Sequence, residues 1–202
     1  MTMTTYRSAP LLTSLAFLTL MFGVPVGAMN PDSPLLKDEL AALFTATGGE
    51  SWRNNDGWLS PDTPTCDWYG IQCDSDRDID FVSAIRLADN GLTGSIEGLA
   101  LLEVSLNTLD LSGNELGGGL ALLPTRISFV DLSRNQLSGP LPPRYPPVYE
   151  IPDPTPPAIS VLDLSGNDFF GPVPDDWRSL GLTVLDLSNN ALSGGIGNAF
   201  SA

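Results

Sequence analysis

The chain contains no histidine and only two cysteines in 202 residues. Without imidazole, the usual general base and the usual zinc ligand are both missing. No nucleophile stands beside a candidate base, so hydrolytic chemistry lacks its ordinary parts. Basic residues are scarce: 9 Lys and Arg stand against 24 Asp and Glu, a net charge of −15. Nucleic acid and anionic membranes require basic patches, which excludes both as partners. No N-x-S/T sequon occurs, so N-glycosylation is not expected. No apolar run beyond residue 28 is long enough to span a membrane. These absences predict a chain that is not an enzyme and carries no metal and no cofactor.

What is present begins with an export signal. Arg7 is the only charge before an apolar stretch from Leu11 to Val24, and Val26-Gly27-Ala28 suits signal peptidase. The stretch is too short for a span and is interrupted by Thr13, Ser14 and Thr19. Residues 1–28 therefore read as a signal peptide and 29–202 as the mature chain. Cleavage removes Arg7 and no acid, moving the net charge from −15 to −16. The expected location is secreted or extracellular, with the cell surface and the periplasm both compatible. Cys66 and Cys73 bracket Asp67-Trp68-Tyr69-Gly70-Ile71-Gln72. In an exported protein such a close pair reads as a disulfide.

The phrase L-x-L-x-x-N-x-(L/F)-x-G-x-(I/L/V) then occurs five times, with asparagines at 90, 114, 135, 167 and 190. Their spacings of 24, 21, 32 and 23 residues mark a stacked-repeat solenoid. One such unit cannot bury its own apolar side, so units share a continuous core. The L-x-L segment predicts a short strand whose two apolar residues point inward and whose central residue points out. Successive strands pair in parallel. Each asparagine satisfies backbone groups where the chain leaves the strand, giving a buried ladder. Gly94, Gly118, Gly139, Gly171 and Gly194 supply backbone freedom four residues later.

The wording L-D-L-S-x-N-x-L-S-G-x-(I/L)-P, fullest from Leu132 to Pro142 and Leu162 to Pro174, resembles the plant-type subclass of leucine-rich repeats. The resemblance implies a second short strand after each glycine. Ahead of the repeats, Ser33-Pro34 begins a helix lined by Leu36, Leu40, Leu43 and Phe44, and Gly48-Gly49 ends it. Trp52, Trp58 and the phrase C-x-W-x-G-I-x-C follow. This segment resembles the N-terminal caps of plant receptor ectodomains. Thr45 to Trp52 and Asn54 to Ser60 are closer still to caps of secreted bacterial and protist relatives. The expected architecture is an α/β leucine-rich repeat solenoid with a parallel concave sheet. Residues 29–80 form a helical, disulfide-bonded cap and 81–202 form the five repeats. Packing within the cap accounts for the tryptophans better than a binding surface does. The chain departs from receptor kinases in having no membrane-spanning or kinase segment. A C-terminal cap is not recognisable, which predicts self-association through the end near Leu192, Ile196 and Phe200, or else a natural protein extended by a further segment.

The outward residues of the five strands are Arg86, Asp110, Asp131, Asp163 and Asp186, and two positions on come Ala88, Ser112, Ser133, Ser165 and Ser188. Stacking predicts two parallel rows on the concave face. The acidic row favours a cation or a basic partner, yet the plainer reading is that L-D-L-S is common wording in this subclass, with the aspartates solvated or bonded to nearby serines. Residues 140–157 hold 9 of the 18 prolines and the exposed-ring candidates Tyr145 and Tyr149. Such stiff chain loops out of a solenoid and reads equally as a second candidate contact site or as a tolerated insertion. The expected function is a non-catalytic binding module for a protein or peptide. The alternative is a cell-wall or polysaccharide-associated protein similar to polygalacturonase-inhibiting proteins, with a glycan or a glycan-degrading enzyme as partner.

Overall fold

The computed structural model describes residues 30–76, 79–97, 106–121, 127–143 and 159–195. Helix α1 spans Pro34–Ala46. Ser33 is its N-cap: its hydroxyl accepts from the Leu36 N–H, and Pro34 occupies the first turn. Leu36, Leu40, Leu43 and Phe44 are its buried face. The chain leaves the helix through Gly48, whose φ is 70°.

Two sheets follow. The first contains β1 (Ile71–Asp76), β2 (Ile79–Arg86), β4 (Thr108–Asp110), β6 (Phe129–Asp131), β8 (Val161–Asp163) and β10 (Val184–Asp186), side by side in that order. From β2 to β10 every pairing is parallel, as the repeats predict. Each of the short strands begins one residue before its L-x-L and ends on the central residue. β1 is antiparallel to β2. That hairpin was not legible in the repeat phrase, and it covers the edge that the first repeat strand would otherwise expose.

The second sheet contains β3 (Thr93–Ser95), β5 (Glu115–Gly118), β7 (Gln136–Pro140), β9 (Asp168–Gly171) and β11 (Ala191–Leu192). A second strand per repeat is present, but it lies earlier than expected. Every one begins before the glycine rather than after it: β5, β7 and β9 start directly past their asparagine, β3 starts three residues past Asn90, and β11 ends two residues short of Gly194. The side-chain oxygens of Asn114, Asn135, Asn167 and Asn190 each accept from a backbone N–H in or beside the preceding repeat's second strand.

The two sheets differ in register. In the first, equivalent residues are level: Asp110 pairs with Asp131, and Asp163 with Asp186. In the second, each glycine lies beside the apolar residue two positions earlier in the next repeat, as Gly118 does with Leu137 and Gly139 with Phe169. That stagger is about 6.6 Å per repeat at normal strand rise. One side of every coil is thus advanced on the other, and the stack twists.

The core runs unbroken from α1 through Ile85, Leu111, Leu132 and Leu164 to Leu180. All five repeat glycines have positive φ, from 77° to 97°. At Gly94 space is limiting as well: a Cβ there would lie 2.2 Å from the Ala46 carbonyl oxygen. The end of α1 can therefore seat on β3, where the Thr93 N–H donates to the Thr47 carbonyl. Trp177, in a 3-10 turn at Asp175–Ser179, is fully buried and donates its indole N–H to the Pro142 carbonyl at 2.9 Å. It closes the fourth repeat, a role no repeat pattern signals.

Candidate concave recognition surface

The asparagines form the predicted ladder. Asn114 donates to the carbonyls of Leu87, Leu111 and Ser112, and its side-chain oxygen accepts from the N–H groups of Asn90 and Leu92. Asn135, Asn167 and Asn190 repeat the pattern one unit further on. Asn90 continues it into the cap, where it exchanges bonds with the Asn54 backbone. Asn190 is only half-buried. The ladder clamps adjacent turns together and fixes the direction in which each strand presents its outward residues.

The outward row is Arg86, Asp110, Asp131, Asp163 and Asp186, paired residue to residue across five strands. Each aspartate has one oxygen engaged. Ser112, Ser133, Ser165 and Ser188 donate their backbone N–H to Asp110, Asp131, Asp163 and Asp186 at 2.8–3.1 Å. At Ser112 the hydroxyl donates to the same oxygen. These are Asx turns, which settle the bend after each strand. For Asp186 the Ser188 N–H is the larger and its hydroxyl the smaller cause that hold the carboxyl below the ordinary range. The serine row is not an open second row: Ser112 and Ser133 are buried, and only Ser188 is exposed. The acidic row thus has a structural task, whatever else it does. Arg86 donates to the Gln72 side-chain carbonyl on β1, so its guanidinium is tied to the cap.

A further row lies two residues earlier on the same face. Thr108, Phe129, Val161 and Val184 are in register across β4, β6, β8 and β10. Phe129 is 37% exposed and Val184 52%. The signal was available, because alternation places the residue before each inward leucine on the outward face.

The cap tryptophans form no such surface. Trp52, Trp58 and Trp68 are buried, with centroids 4.9 and 5.2 Å apart in sequence, and Phe44 lies 5.1 Å from Trp52. Their indole N–H groups donate to the carbonyls of Thr47, Tyr69 and Thr63. Cys66 and Cys73 are bonded. Tyr145 and Tyr149 lie outside the described residues, as do Ile196, Phe200 and the cleavage site after Ala28. Among the described residues no three of His, Cys, Asp and Glu converge as a metal centre would require. None of the described helices is long and apolar enough to cross a membrane.

Comparison with known proteins agrees with this geometry. The Leucine Rich Repeat family model matches residues 105–125, 158–180 and 181–202. A probable inactive receptor kinase of Arabidopsis thaliana is 38% identical over 80 residues, 39% of this chain. That stretch is 11% of the relative, so the chain spans a small part of its length. Among solved structures, the BIR2 ectodomain of Arabidopsis thaliana superposes with a TM-score of 0.64 and 27% identity, over 82% of this chain and 85% of its own. A chain of the BIR3–SERK2 complex of Arabidopsis thaliana gives 0.61 and 27%, over 80% and 85%. The family-model matches and these superpositions agree with the parallel strands in register, and the fold is a leucine-rich repeat solenoid similar to plant receptor ectodomains.

Proposed function

We propose that this protein is an exported, non-catalytic recognition module that holds a protein or peptide on its concave sheet. One observation carries the reading: outward residues of five strands stand level in parallel register, on a sheet clamped by the asparagine ladder. A ligand meets several repeats at once and no loop has to be ordered first, so little conformational entropy opposes binding. The resemblance to the BIR2 ectodomain and to a chain of a two-protein complex supports a binding module. Asp110, Asp131, Asp163 and Asp186 give the surface its polarity, and Arg86 marks its cap end. The favoured partner carries positive charge, and association weakens with salt. Tyr145 and Tyr149 are the competing contact site.

The test is capture of partners from the source organism's culture medium by the purified protein, with identification by mass spectrometry. The captured partner is then titrated against the triple variant Asp131→Asn, Asp163→Asn, Asp186→Asn, its fold checked by circular dichroism. The variant is expected to bind at least tenfold more weakly and with a shallower salt dependence. Unchanged affinity and salt dependence would move the site elsewhere.

A further inference from the structure

We infer that the occupant of this surface is an extended polypeptide segment in which bulky apolar residues alternate with lysine or arginine, anchored on Phe129, Val161 and Val184. The inference rests on the concave-face reading above and adds what that face selects. Five large hydrophobic residues are exposed among those described: Leu59, Tyr69, Phe129, Phe170 and Val184. Two of the five fall in a single row on one sheet, with half-buried Val161 between them in register. Scattered exposed hydrophobics are ordinary, whereas an aligned set on a rigid sheet marks a contact surface.

The charge beside that row commits the occupant. On β6, β8 and β10 the residue two places on, facing the same way, is Asp131, Asp163 or Asp186. An apolar row and an acidic row therefore run side by side, about 6.6 Å apart along the strands and stepping about 4.8 Å per strand. Towards the cap the pattern ends: the equivalent pairs are Thr108 with Asp110, and buried Ala84 with Arg86. The amphipathic part is the three-strand half away from the cap, about 9.6 Å across.

An extended chain lying along the valley between the rows turns alternate side chains to opposite sides. One set falls over Phe129, Val161 and Val184, the other over the aspartates. Side chains on the same side of an extended segment are about 6.8 Å apart, so four or five residues fill the patch. The aspartate oxygens already held by serine N–H groups keep the carboxylates fixed, which favours a cation without further ordering. Neutral glycans lack the cation, and nucleic acids and anionic lipids carry the wrong charge.

The experiment is selection of a displayed library of random twelve-residue peptides on the full protein. Selected peptides are then titrated against three variants: Phe129→Ser with Val184→Ser, the triple aspartate-to-asparagine change, and Phe170→Ser on the second sheet as control. Expected are sequences with alternating apolar and basic residues. Their affinity should fall at least tenfold on Phe129→Ser/Val184→Ser, about what losing one good apolar anchor costs, and should be unchanged on Phe170→Ser. Binders that lose affinity on the aspartate variant alone would overturn the anchor row and leave the concave-face reading standing. Binders indifferent to both concave variants, or no binders at all, would overturn both. Circular dichroism on each variant separates loss of contact from loss of fold.

Discussion

At the residue scale the asparagines are the least replaceable side chains outside the apolar core. Asn135 is 8% exposed, donates to three carbonyls and accepts from the Leu116 N–H. Asn135→Ala strands those groups where water cannot easily reach, at a cost of about 3 kcal/mol. Asn190 makes the same bonds in a half-buried setting, so water can substitute and Asn190→Ala should cost about 1 kcal/mol. Urea denaturation of the two variants checks this, and equal costs would refute the link to burial. The ladder was legible because its asparagines recur in phase with leucines. Its last rung was not: Asn54 lies outside the repeat phrase, and nothing in its neighbours foretells its pairing with Asn90. The aspartates were legible as a row. Their bonds to serine N–H groups two residues on were anticipated only as the plainer alternative, since the same residue pattern permits a solvated carboxylate.

At the scale of elements the cap is where local chemistry replaces repetition. A helix, three tryptophans and one disulfide cover the first coil, and β1 completes the sheet edge. Helix α1 was legible because its start signal and its apolar spacing agree. The β1–β2 hairpin was not, because the strand that enters the first repeat extends well upstream of it. The placement of the second strand was missed for a similar reason. The resemblance implied a strand after each glycine, while the pairings that define it begin before that residue. Cys66 and Cys73 are separated by 7 positions and tie the Trp68 loop to β1. By loop-closure entropy that link contributes about 2.5 kcal/mol. The double change Cys66→Ala, Cys73→Ala should destabilise the protein by about that amount. Tryptophan fluorescence should report it, since Trp58 and Trp68 pack beside the bonded loop. Alkylation of both thiols in unreduced purified protein would show that the link does not form.

At the scale of the whole molecule, acidity and stacking act against each other. Folding brings Asp110, Asp131, Asp163 and Asp186 into adjacent strands, whereas in the unfolded chain they are 21 or more residues apart. Neighbours about 4.8 Å apart repel by roughly 0.9 kcal/mol in unscreened water, so three neighbouring pairs cost between about 2 and 3 kcal/mol. Raising ionic strength from 0.01 to 0.15 M shortens the screening length from about 30 to about 8 Å, and the surviving fraction of the repulsion falls from about 0.85 to about 0.55. The relief is roughly 0.8 kcal/mol, or about 2–3 °C in Tm for a chain of this size. Among the described residues the opposing contribution is small, because the ion pairs Lys37–Asp32 and Arg134–Asp89 are at the surface and are worth at most about 1 kcal/mol each. Calorimetry should therefore find Tm rising with sodium chloride. The variant Asp131→Asn, Asp163→Asn, Asp186→Asn removes all three neighbouring repulsions and should show a smaller rise from a higher starting Tm at low salt. If both proteins respond equally, the row contributes no repulsion of its own, and its carboxylates are neutralised locally by partners beyond the Ser N–H groups.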